Sequence, residues 1–286
     1  MAINNLDISI RERLRSYRAL LGDEAACVTG LYLVGSIALD DFSPKRSDID
    51  FVAVIERPLT PPLLDLLEGV HRRLNDGVGP ALDGFYIERG ALQRSPDPSS
   101  PVSFNLDGIF HRNGVCFEVN PVTWATLAQK GVVVQGCMPE MLAIHEDAGA
   151  LREFEMGNLK GYWTDWIRNQ RVAWHKADAT TAADAIAMSW GVLGVARLCY
   201  TLATGAINSK TAAGLWARTS FPAWANLIDH CLAVRNGQAG AMAVDLLDVG
   251  LDFIDTAIAY GCGCTSGVHL RSGPEIRNEA RRHRPL

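Results

Sequence analysis

The stretch LVGSIALDDFSPKRSDIDFVAV (33–54) sets a Gly-Ser pair behind one apolar run and an Asp-x-Asp pair at the head of the next. Asp48 and Asp50 flank Ile49, so on a β-strand both carboxylates project to one face. Two neighbouring carboxylates repel and resist burial unless a cation lies between them. Mg2+ suits such a pair, because it takes one or two carboxylates and fills its other positions with water and substrate phosphate oxygens. Gly35 has no Cβ and lets the backbone come close to a bulky ligand where the strand ends. Ser36 and the turn amides behind it can donate hydrogen bonds to an anion such as a phosphate. Lys45 and Arg46 stand beside the acidic pair and could neutralise phosphate charge. Each signal is weak alone. Together, on successive strands with eleven residues between Ser36 and Asp48, they describe a nucleoside-triphosphate site with bound Mg2+.

Several elements must hold these residues. DISIRERLRSYRALLG (7–22) has helical spacing, with Ile8, Ile10, Leu14, Tyr17 and Leu20 on one side and Gly22 as the stop. TGLYLVG and DIDFVAVI read as neighbouring strands, and LDGFYIE (82–88) as a third. Between the last two, PLTPPLLDLLEGVHRRLNDG is a helix with Pro61 and Pro62 at its start. Residues 91–104 read as loop, VCFEVNPV as a fourth strand, TWATLAQKG as a short helix, and VVVQG follows it. From about Pro139 the strand signals stop and Ala/Leu/Trp-rich helical patterns take over. The expected fold class is α+β: a nucleotide-binding domain over 1–138, with a small mixed sheet and helices, then an all-α bundle over 139–260. The Gly- and Arg-rich stretch 261–286 reads as a poorly ordered tail.

Composition narrows the partners. A chain of 286 residues that is 48% hydrophobic and 21% charged can build two ordinary cores. A net charge of −5 argues against a broad basic surface for nucleic acid and favours small, cationic partners. The N-terminus has no apolar segment of signal-peptide length, and no window is expected to span a membrane. The seven cysteines, odd in number and scattered, read as reduced, mostly buried thiols of a cytoplasmic protein. Cys262 and Cys264, with His269 five residues on, offer too few ligands for a structural metal.

The Gly-Ser turn followed by SDIDFVAV resembles the signature of the DNA polymerase β nucleotidyltransferase superfamily, and LDGFYIE resembles the strand carrying its third carboxylate. ARLCYTLATGAINSKTAAGLWA is similar to the helical domain of the aminoglycoside adenylyltransferases, which modify streptomycin and spectinomycin. The resemblance covers roughly residues 10–258 and implies a division of labour. Asp48 and Asp50 would hold the Mg2+ ions, two in number, that bridge the ATP phosphates. Gly35, Ser36 and Ser47 would contact the triphosphate. Asp83 falls where the family has its general base, a residue that is usually Glu in the streptomycin enzymes; Glu88 is on the opposite strand face. Arg197 and Lys210 match basic residues that reach the nucleotide phosphates.

Phosphoryl-type transfer needs positioning and charge neutralisation more than a covalent intermediate. The resemblance implies attack of a substrate hydroxyl on the α-phosphorus of ATP, with proton transfer to a carboxylate and release of pyrophosphate. The implied acceptor is a polycationic aminoglycoside, whose site calls for carboxylates and aromatic faces. The segment 161–190 is rich in both, with Trp163, Trp166, Trp174, Trp190, Asp165, Asp178 and Asp184. Trp166 and Asp184 lie nearest to the family's aminoglycoside-contacting positions. The expected partners are therefore ATP and a cationic small molecule, without nucleic acid or membrane, and the expected state is a monomer. The competing readings are the same transfer onto another small molecule or a protein hydroxyl, and a nucleotide-binding module without turnover.

Overall fold

The computed structural model describes residues 5–174 and 181–263, so Asp178, Cys264, His269 and the remainder of the expected tail lie outside the described residues. The chain divides into two units, Met1–Glu155 with Gly205–Ser209, and Met156–Thr204 with Lys210–Leu286.

The first unit is built on six strands, β1 (Val28–Leu33), β2 (Ile49–Ile55), β3 (Leu82–Glu88), β4 (Val102–Leu106), β5 (Ile109–Gly114) and β6 (Val132–Gln135). They form one sheet in the order β5-β4-β3-β2-β1-β6, with β2 and β3 parallel and every other neighbouring pair antiparallel. Its helices are α1 (Ile8–Leu21), α2 (Gly35–Ala38), α3 (Pro61–Asn75), α4 (Arg89–Leu92) and α5 (Pro121–Lys130). Parallel neighbours need a crossover connection, and α3 supplies it between β2 and β3.

The central strands are apolar runs because both sheet faces are covered. On one face Leu33, Phe51, Ala53 and Tyr86 meet Ile10, Leu14 and Tyr17 of α1 and Leu67, Val70 and Leu74 of α3. Tyr32, Val52, Val54, Phe85 and Ile87 project to the other face, against Val119 and, from α5, Trp124 and Leu127. Ile8, expected on the buried side of α1, is exposed, and Leu21 takes a place in the core instead.

Two local expectations are corrected. VCFEVNPV is not a strand: Cys116–Val119 closes a turn, with the Val119 amide donating to the Cys116 carbonyl at 3.1 Å. Asn120 then caps α5, its side-chain oxygen accepting from the amides of Val122 and Thr123, and Pro121 takes the first helical position. Behind the loop that begins near residue 91, β4 and β5 form an unforeseen hairpin. Leu106 pairs with Ile109 across a two-residue turn, Asp107-Gly108, with φ of 49° and 80°. Asp-Gly is the sequence such a turn demands, because both central residues need positive φ.

The helical part begins with α6 (Ala148–Asn158), continues without a break through a π-helical turn at Leu159–Trp163, and resumes as α7 (Thr164–Trp174). The second unit then contains α8 (Ala182–Thr204), α9 (Lys210–Ser220), α10 (Ala225–Arg235) and α11 (Val244–Gly261). Helix α8 packs against α9, α10 and α11, with Met188, Val192, Val195, Ala196 and Cys199 inside the core. Contrary to the sequence expectation, one segment has the length and apolarity of a membrane span: Asp184–Thr204, with a mean hydropathy of 1.4. The cause is its place at the bundle centre, where 67% of that window is buried. None of the six described cysteines is in a disulfide; Cys116, Cys199 and Cys231 are buried.

Candidate active site

Register brings the acidic residues of the sheet together. Asp50 pairs with Asp83 across the parallel β2–β3 ladder, where neighbouring strands run about 4.8 Å apart. Alternation turns both toward the face that also carries Val52 and Phe85. Asp48 stands just before β2 and is exposed. The Val34 amide donates to the Asp50 carbonyl at 3.0 Å, which draws the end of β1 and the start of α2 against β2. Gly35 follows, with φ of +55°, and a Cβ there would lie 1.7 Å from Asp50 Oδ2. The glycine thus makes room for the Asp50 carboxylate itself, a nearer neighbour than the ligand that the sequence invoked. Gly84, beside Asp83, is required for a similar reason: its Cβ would meet the Phe51 carbonyl oxygen at 2.0 Å.

Asp83 is only 2% exposed. Asn105 Nδ2 donates to its Oδ1 at 3.0 Å, and the Asp107 amide donates to its Oδ2 at 3.2 Å. Burial pushes its pKa up to about 6; the Asp107 amide and Asn105 pull the other way, while the charges of Asp48 and Asp107 add to the rise. A fourth carboxylate, which the sequence reading missed, joins this group. Glu118 is pushed to about 8, first by burial and then by the charges of Asp50, Asp83, Asp48 and Asp107. It is carried on the Cys116–Val119 turn, whose ends are anchored in the core on this same sheet face. The one signal in the sequence was a charged residue inside the apolar run VCFEV.

The donor chemistry fits a hard divalent cation with phosphate. Among the described residues no three His, Cys, Asp or Glu side chains form a closed metal cage. Mg2+ does not need one, since it usually keeps water and substrate phosphate oxygens alongside one or two carboxylates. The Ser36 hydroxyl is buried without a hydrogen-bond partner, a donor held in the turn that abuts Asp50. Ser47 Oγ accepts from the Ser43 amide at 3.0 Å and retains its own O–H to donate. A cavity of about 700 Å3, lined by Ile55, Glu88, Arg94, Arg112 and Trp124, opens at the other ends of β2 and β3.

In the helical unit Trp166 is partly buried and packs among Trp163, Trp174 and Trp190, with ring centroids 5.6, 6.1 and 6.0 Å away. Asp184 closes a capping box on α8: the Thr181 amide and hydroxyl donate to its Oδ2 at 2.7 Å each, and its own amide donates to Thr181 Oγ1 at 3.2 Å. Trp174 Nε1 donates to its Oδ1 at 2.8 Å. Lys210 Nζ sits 5.5 Å from the centroid of the Trp190 ring, and Arg197 is half-buried on α8.

Comparison with known proteins agrees with this architecture. Residues 10–83, which hold the Gly-Ser turn and all three predicted aspartates, match the family model described as a nucleotidyltransferase domain. Residues 171–250 match the one described as the C-terminal domain of aminoglycoside adenylyltransferase. No curated protein matches the chain. Among solved structures, the fold is similar to that of spectinomycin adenyltransferase AAD(9) from Enterococcus faecialis, crystallised with ATP and spectinomycin. The TM-score is 0.63 at 15% identity, over 87% of this chain and 98% of the other. The chain therefore carries, in order, a nucleotidyltransferase domain and a domain that matches the C-terminal domain of aminoglycoside adenylyltransferase, and the two together support a nucleotidyltransferase enzyme.

Proposed function

We propose that the protein transfers AMP from ATP to a hydroxyl of an aminoglycoside, with release of pyrophosphate. The observation that carries this reading is the register pairing of Asp50 with Asp83 on one sheet face, beside Asp48 and the Gly35-Ser36 turn. Asp48 and Asp50 hold Mg2+, and Gly35, Ser36 and Ser47 receive the triphosphate. Bound Mg2+ would neutralise phosphate charge and stabilise the attacking and leaving oxygens.

Asp83 accepts the proton of the acceptor hydroxyl. A buried carboxylate with a pKa near 6 is a stronger base than an exposed one and is still ionised at neutral pH. Its two fixed hydrogen bonds aim the carboxylate, and each oxygen keeps a further lone pair for the incoming proton. The charge of Asp107 beside the base suits a polycationic acceptor. Arg197 and Lys210 are assigned to the nucleotide phosphates, and Trp166 and Asp184 to the acceptor, on family resemblance. The local hydrogen bonds of Asp184 define a second, capping role that any test must separate.

The test is pyrophosphate release from ATP and Mg2+ with a panel that includes streptomycin and spectinomycin, with mass spectrometry of the antibiotic. Release with at least one drug and a mass gain of one AMP are expected. Silence across the panel would remove the acceptor assignment, and turnover by Asp48→Asn would remove the metal assignment.

A further inference from the structure

Asp83 does not set its own direction. It lies at the second position of β3, and the element that reaches it is the β4–β5 hairpin, from which two donors converge on its two oxygens. One is the backbone amide of Asp107, in the turn itself. The other is the side-chain amide of Asn105, a residue only 1% exposed.

The Asn105 nitrogen is fully committed. Its two hydrogens go to the Leu82 carbonyl and to Asp83 Oδ1, both at 3.0 Å. Rotating the amide would bring its oxygen against two acceptors, so only one orientation is tenable. The backbone around it is fixed as well: Asn105 pairs with Gly84 across the β3–β4 ladder. The turn is held from outside, where Asn75 Nδ2, at the end of α3, donates to the Gly108 carbonyl at 2.6 Å. The Asp107 amide, at the head of a turn whose two residues both have positive φ, points to Asp83. A buried amide is costly to place in a strand, and here both donor hydrogens are used on residues 82 and 83 while Asn105 Oδ1 is left buried without a partner.

We infer that Asn105 is a positioning residue for the reaction: with the Asp107 amide it clamps both oxygens of Asp83 and fixes the line along which that carboxylate meets the acceptor hydroxyl. The inference rests on the reading of Asp83 as the base. It also accounts for Asp at this position, since a Glu would carry its carboxylate one methylene beyond the two donors.

The experiment compares Asn105→Leu, of similar volume but with no donor, with Asn105→Asp, of nearly identical shape but with like charge facing Asp83. Asp83→Asn serves as the reference. For Asn105→Leu, kcat is expected to fall roughly 10- to 100-fold, as for a displaced reacting group, while KM for ATP and for the acceptor changes little. The acid limb of its kcat–pH profile is expected to move to higher pH, because a hydrogen bond that favours the charged carboxylate is gone. Asn105→Asp is expected to move the limb further in the same direction. Melting temperature and the Mg2+·ATP-induced thermal shift report on folding and nucleotide binding. If the leucine variant does not fold, Asn105→Ser, smaller and too short to reach Oδ1, replaces it with the same expectation. An unchanged kcat and pH limb in a folded variant would overturn the clamp. Activity in Asp83→Asn would instead overturn the base assignment, and the two failures are therefore distinguishable.

Discussion

Gly35→Ala isolates the contact between the Gly-Ser turn and Asp50 of β2. The backbone at Gly35 has φ of +55°, where an L-residue with a Cβ loses roughly 1–2 kcal/mol. The larger effect is steric. The new methyl would lie 1.7 Å from Asp50 Oδ2, about half an ordinary contact distance, and 2.6 Å from its Cγ. The carboxylate must therefore retreat by well over an ångström, and displacements of about 1 Å at a reacting centre can cost roughly 100-fold in rate. Gly22→Ala is the control for a positive φ without a clash. Its φ is +57°, nearly the same, yet a Cβ added there would meet nothing within 4 Å. Both variants should lose stability, a few degrees in Tm at about 2–4 °C per kcal/mol, with the greater loss in Gly35→Ala because of its clash. Only Gly35→Ala should lose at least roughly 100-fold in kcat/KM for pyrophosphate release. Equal activities in the two variants would refute the claim that Gly35 is there for Asp50.

Three further outcomes are expected. Asp83 and Glu118 have pKa values raised to about 6 and about 8 against ordinary values of 3.8 and 4.5, so the folded metal-free protein holds protons that the unfolded chain releases. Its Tm should fall as pH rises from about 4 to about 8, and Mg2+ should raise Tm more at the alkaline end; a Mg2+ response equal at both ends would contradict the site. Tyr86→Phe removes a hydroxyl that meets both Tyr17 Oη at 2.8 Å and His71 Nε2 at 2.9 Å, in a core where His71 is fully buried. A loss of roughly 1–3 kcal/mol in urea unfolding is expected, and a neutral result would show that the network is dispensable. Asp184→Ala should cost about 1 kcal/mol through the lost cap on α8 and raise KM for the aminoglycoside; a stability loss with unchanged KM would confine Asp184 to capping.

The sequence made the central strands legible because burial on both faces turns them into apolar runs, and it made the Asp-x-Asp pair legible because such a pair is costly without a cation. The hairpin escaped because β5 is an edge strand of polar and exposed residues, IFHRNG, behind a Ser/Pro-rich stretch. Its Asp107-Gly108 turn was nevertheless readable. Asn120-Pro121 likewise announced a helix start that was mistaken for the end of a strand. Glu118 and Asn105 were beyond reach for a different reason. Neither sits in a motif, and each acquires meaning from cross-strand register or from a turn packed on the sheet, which local pattern does not specify. Thr181 and Asp184 show the opposite case, where a four-residue capping pattern was present beside the search for a ligand contact.

The π-helical turn at Leu159–Trp163 has a consequence for how this chain can change. One extra residue is accommodated there without breaking the helix, so every side chain downstream on α7 is rotated by about 100° from where an unbroken α-helix would place it. Trp166 owes its place beside Trp163 and Trp190 to that phase. Removing a single codon from this turn would swing the tryptophan-bearing face to a new bearing in one evolutionary step, which point replacements along the helix have no means of achieving.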